Sequence, residues 1–146
     1  MPDTTLPASA APSDARERAI RMGIGVLAAV ALVTGLWQAL FPSSFRDALG
    51  PFGVYNEHFV RDIATWTLAY GGALVVAVGN PSWRVPLLSL GVAQGALHLV
   101  NHIIDIGDTD PGWVGAFDAI SLAALLGATW WLLSACRAHS AAETDR

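Results

Sequence analysis

Residues 85–106 read VPLLSLGVAQGALHLVNHIIDI, an apolar run in which Asp105 is the only Asp, Glu, Lys or Arg. At a rise of 1.5 Å per residue, a helix of this length crosses the roughly 30 Å hydrocarbon core of a bilayer. Three further runs of similar length and character lie at about 22–41, 59–78 and 113–135. The sequence therefore predicts an all-α protein, a four-helix transmembrane bundle that occupies residues 16–136.

The composition agrees with a membrane environment. Hydrophobic residues make up 53% of the 146 and charged residues only 14%, whereas soluble domains average about 25% charged residues. The lipid bilayer is therefore the expected surrounding of the apolar residues. The net charge of −4 provides no basic patch, so nucleic acid is not an expected partner.

The chain ends and the arginines predict the topology. Residues 1–15 are rich in Pro, Ala, Ser and Thr and are predicted to be a disordered tail, and 137–146 a polar C-terminal tail. Of the eight arginines, Arg46 and Arg61 fall on one side of the predicted spans and six fall on the side of the chain ends. The positive-inside rule then places both termini in the cytoplasm, as expected for a multi-pass protein of the plasma membrane. The six arginines are Arg16, Arg18, Arg21, Arg84, Arg137 and Arg146.

The predicted span at 85–106, the third along the chain, carries small and polar residues on one helical stripe. At 3.6 residues per turn, five residues fall within about 40° of one direction. The two glycines let a neighbouring helix approach closely, and two imidazoles and a carboxylate follow toward the outer end. The residues of this stripe are Gly91, Gly95, His98, His102 and Asp105.

The other predicted spans also carry polar residues in the half that lies away from the cytoplasm, at the depth of His98 and His102. This shared depth favours a metal site. Two histidines at positions i and i+4 can bind one ion, and carboxylates from neighbouring helices would complete its coordination. Such nitrogen and oxygen ligands suit Zn, Fe, Mn or Cu, and a haem with an axial histidine is a second possibility. Either group would support a redox role or a metal-activated water. The predicted ligands are His98, His102, Asp105, Asp62, Asp118 and His58.

Two non-metal interpretations remain open. The polar residues can serve as a hydrogen-bonded packing network that also includes Glu57, Arg61, Asn101 and Ser121. The protein would then be an accessory or assembly subunit that binds a membrane protein partner or a second copy of itself. A proton or small-solute pathway is the third hypothesis, although the inner halves of the spans contain almost no ionisable residue.

Two segments carry a family resemblance. The run Tyr55–Asp62, followed by an apolar span, and the run His98–Asp105 resemble small four-helix membrane proteins of actinobacterial type. The layout of residues 22–136 is also similar to that of the broad DoxX-like group. Because some DoxX-like proteins accompany membrane oxidoreductases, the resemblance implies a redox association. It transfers no catalytic residue to this chain.

Overall fold

The computed structural model describes residues 12–144, and this part of the chain folds into five helices. They are α1 (Pro12–Leu40), α2 (Pro42–Leu49), α3 (Glu57–Gly79), α4 (Pro81–Ile104) and α5 (Trp113–Thr144). All except α2 are long and apolar enough to cross a membrane. The predicted all-α transmembrane bundle is therefore confirmed. The predicted N-terminal tail lies outside the described residues up to position 11, and so do the last two positions of the predicted C-terminal tail.

Local sequence signals explain where the helices begin. Pro42 and Pro81 each stand at the first position of a helix, where proline's fixed φ is favourable and its missing N–H is not needed. The side chain of Asn56 caps α3 by accepting a hydrogen bond of 3.1 Å from the backbone N–H of Phe59. Asn80 alone separates α3 from α4, so these two helices form a tight antiparallel hairpin.

Glycines allow α1 and α3 to pack closely. A Cβ placed on Gly35 would lie 2.8 Å from the Leu68 side chain, and one on Gly71 would lie 3.0 Å from Leu32. Both distances are shorter than ordinary van der Waals contact, so the helices approach this closely only because the side chain is absent. At Gly91 on α4, the Tyr70 hydroxyl occupies the space that a Cβ would need, whereas Gly95 has room for one.

The main apolar core lies at the end of the bundle where α1 begins and α5 ends, which we call the inner end. Its central residues come from all four long helices and are almost completely buried. In lipid these side chains stabilise the bundle through close van der Waals packing between the helices. Members of this core include Ile20, Ile24, Leu74, Leu88 and Leu132.

Arg84 links neighbouring helices at the inner end through hydrogen bonds and an ion pair. It is 4% exposed, and its two terminal nitrogens each donate to a carboxylate oxygen of Glu17 at 2.8 Å. It also donates to the carbonyls of Ala77 and Val78 at 3.1 Å, which belong to the last turn of α3 and have no partner within the helix. His139 on α5 lies 3.8 Å from Glu17. The arginine pattern predicts only a topological role for Arg84, whereas in the structure it links α4 to α1 and α3, and its partner Glu17 lies near His139 of α5.

Candidate functional site

A polar pair faces across the outer ends of α4 and α5. The Nδ1 atom of His102 lies 4.0 Å from Oδ2 of Asp118, and the two side chains are only 15% and 8% exposed. Neither atom has a hydrogen-bond partner among residues 12–144. Buried polar groups are nearly always hydrogen-bonded, so this pair needs a physical explanation.

The turn between α4 and α5 sets the position of Asp118. The side-chain oxygen of Thr109 accepts a hydrogen bond of 3.1 Å from the backbone N–H of Gly115. A Cβ on Gly115 would collide with the carbonyl group of Ile106, so the turn can fold this tightly against α5 only over a glycine. Asp118 follows one turn later on α5 and is thereby held opposite the last turns of α4.

Aromatic rings surround His102. The ring of Phe52 lies 5.0 Å from the His102 ring, and the ring of His98 lies 4.7 Å away, both measured between centroids and both edge-on. Phe52 pairs with Thr109 through an isolated antiparallel bridge, which joins the α2–α3 connection to the α4–α5 connection. These two connections together cover His102 on the outer side of the bundle.

His58 and Asp62 lie elsewhere on the surface. His58 Nε2 contacts Asp62 Oδ2 at 3.3 Å at the outer end of α3, and the side chains are 86% and 62% exposed. Residues four apart on a helix are neighbours, so these two pair with each other. Arg61 and Glu57 form a second exposed pair of the same spacing at 2.6 Å.

The remaining predicted residues are exposed. Asp105 ends α4, and its backbone N–H donates to the carbonyl of Asn101 at 3.0 Å. Asn101 and Ser121 both have exposed side chains. The structure thus places His102 next to both His98 and Asp118, with His98 itself exposed, and does not gather all six predicted ligands. Within the described range no group of three or more His, Cys, Asp or Glu stands ready to hold a metal ion.

Three residues near the outer end were not predicted as part of the site. Phe52 and Thr109 belong to connections whose pairing is tertiary, so periodicity carried no signal for them. Gln38 on α1 is 6% exposed, and its Oε1 atom has no partner in the described part of the chain. The sequence does place Gln38 among the polar residues in the outer half of the first span, although it assigns this glutamine no role in the site.

The arrangement can accept a small cation or a hydrogen-bonding molecule. It offers one carboxylate oxygen and one imidazole nitrogen, both buried and facing each other, with a second imidazole adjacent. No protein-family model, curated protein or solved structure matches this chain. The resemblance to DoxX-like proteins therefore stays a prediction.

Proposed function

We propose that this multi-pass membrane protein binds a divalent transition-metal ion between His102 and Asp118, with His98 as the third ligand. The observation that carries the proposal is the pair of buried, unpartnered atoms that face each other on adjacent helices. Zinc, iron, manganese and copper all accept such nitrogen and oxygen ligands.

The separation of the pair is compatible with an inserted ion, and the two atoms are too far apart for a direct hydrogen bond. A direct hydrogen bond would bring the two atoms within about 3.2 Å, and they are 4.0 Å apart. Metal–ligand bonds of about 2.0–2.2 Å in tetrahedral geometry place two ligands roughly 3.4 Å apart. The side chains would therefore have to approach by only about half an ångström, the difference between 4.0 and 3.4 Å, to hold an ion.

Energetics supports the same conclusion. Leaving a buried polar group without a partner costs on the order of 1–3 kcal/mol, and more for a charged group. An ion between imidazole and carboxylate would satisfy both groups at once. The His98 ring, which lies edge-on to His102, is the candidate third donor.

An ion fits this position better than a haem does. The Nδ1 atom of His102 faces a carboxylate only 4.0 Å away on the next helix, so an ion can lie between these two atoms, whereas a haem would have to bind through the other ring nitrogen, Nε2, outside this gap. A site with three protein ligands and an open position supplies a metal-activated water or a redox centre when the ion is bound.

Metal content of the purified full chain tests the proposal. We expect one ion per chain in the wild type, detected by elemental analysis, and its loss in His102→Ala and in Asp118→Asn. His58→Ala and Asp62→Asn are matched controls because these residues pair with each other on the surface, and both should retain the ion. Equally low metal in the wild type and in all four variants would reject the proposal. A haem absorption band that disappears in His98→Ala would show that the bound group is a haem and not a single ion.

An accessory subunit is the second candidate function. It is favoured by the sparse packing of α4, of whose apolar window only 6% is buried against 22–28% in the other spans, and whose exposed side chains include Leu97, Val100 and Ile104. On this hypothesis the His–Asp group is structural, and His102→Ala lowers stability without removing any cofactor. Purification from native membranes should then return a stoichiometric partner.

A further inference from the structure

A groove of about 320 Å³ runs between α1 and α5 at the inner end of the bundle. Each helix contributes a stripe of three residues with the spacing i, i+3 and i+4, which is one face of a helix. The walls are mostly apolar. The lining residues are Arg16, Ala19 and Ile20 from α1 and Trp131, Ser134 and Ala135 from α5.

Arg16 places a positive charge at the mouth of this groove. Its guanidinium donates to the carbonyl of Ala135 at 3.3 Å, which uses one of its five N–H donors, and the residue is exposed. The adjacent carboxylate of Glu17 binds Arg84 on another side of α1. Glu17 therefore does not neutralise the charge of Arg16 directly.

The order of groups along the groove matches the order of groups along a phospholipid. Arg16 lies in the charged segment that precedes the first apolar run, at the level of headgroups. Ala19 and Ile20 follow toward the apolar part of the bilayer, and the exposed ring of Trp131 forms the opposite wall. A cation at the membrane surface can bind the anionic headgroup of a phospholipid, and the apolar groove beside it can hold part of the acyl chain.

We propose that this groove binds an anionic phospholipid, with the phosphate on Arg16 and part of one acyl chain along Ala19 and Trp131. The volume is at the lower end of the range for ligand sites, roughly 300–1,000 Å³. It therefore holds a segment of one chain, and the rest of the lipid remains in the bilayer. This inference is independent of the proposed metal site at the outer end.

Native mass spectrometry of the full chain in detergent tests the proposal. With equal amounts of phosphatidylglycerol and phosphatidylcholine, the wild type should retain phosphatidylglycerol preferentially. Arg16→Gln should weaken this binding about fivefold, the effect of one basic residue near a lipid surface. Arg18→Gln is the matched control, since Arg18 is exposed, lies in the same turn and does not line the groove, and it should behave like the wild type.

A second variant and a competitor test whether lipid binding needs the apolar groove as well as the charge of Arg16. Ala19→Phe keeps Arg16 but fills the apolar part of the groove, so it should also reduce retention of phosphatidylglycerol. Millimolar inorganic phosphate should not displace the lipid, because the acyl chain contributes to binding. Equal loss in Arg16→Gln and Arg18→Gln, full retention in Ala19→Phe, or displacement by phosphate would each overturn the proposal.

Discussion

At the scale of single residues, Arg84 is the polar side chain on which the inner end depends most. Its removal would leave the Glu17 carboxylate without its bidentate partner and the last carbonyls of α3 without their donor. Breaking a buried ion pair costs about 3–5 kcal/mol. The Glu17 side chain is still 30% exposed, so we expect a value near the lower end for Arg84→Ala.

The exposed pair on α3 provides the control for this prediction. Arg61→Ala removes an ion pair of similar chemistry whose side chains are about half exposed, and such pairs contribute roughly 0–1 kcal/mol. Thermal unfolding in detergent should therefore show a clear loss of stability for Arg84→Ala and almost none for Arg61→Ala. Similar midpoints for the two variants would contradict the role assigned to Arg84.

At the scale of helices, the pairing of α1 with α3 depends on the missing side chain of Gly35. A Cβ there would meet both the side chain and the backbone of Leu68, and overpacking of this kind costs typically 1–3 kcal/mol. Gly25 lies on the same helix with nothing within 4 Å of its would-be Cβ. Unfolding measurements should show that Gly35→Ala is destabilised and Gly25→Ala is not, and the reverse order would show that the packing of α1 is different.

The elements themselves were readable from the sequence, because runs of about twenty apolar residues bounded by proline, glycine and asparagine specify membrane helices. The pattern does not predict α2, because proline normally ends an apolar span and Pro42 here also begins the next helix. For the site, the helical period correctly placed His98 and His102 side by side. The helical period could not show that Asp62 on α3 pairs with His58 and does not reach His102 on α4. The distance between two helices depends on how they pack, which the period of one helix does not specify.

At the scale of the whole molecule, the predicted cytoplasmic position of both termini determines which surface positions a reagent outside the cell can reach. Val54 lies in the outer connection and is 97% exposed, whereas Ala141 is exposed near the end of α5 at the inner end. Cys136, the only cysteine, is buried and gives little background. In intact cells an impermeant thiol reagent should label Val54→Cys and spare Ala141→Cys, because the arginine distribution places the inner end in the cytoplasm. The opposite labelling pattern would invert the topology.

We propose that the imidazole of His102 on α4 and the carboxylate of Asp118 on α5, which face each other near the outer ends of these helices, hold an ion between them. The most direct measurement is the zinc affinity of the metal-stripped full chain, compared between His102→Ala and His58→Ala. Since loss of even an outer-shell partner commonly weakens metal binding 10–100-fold, we expect His102→Ala to lose at least about tenfold in affinity while His58→Ala matches the wild type. Equal zinc affinity in both variants would contradict the claim.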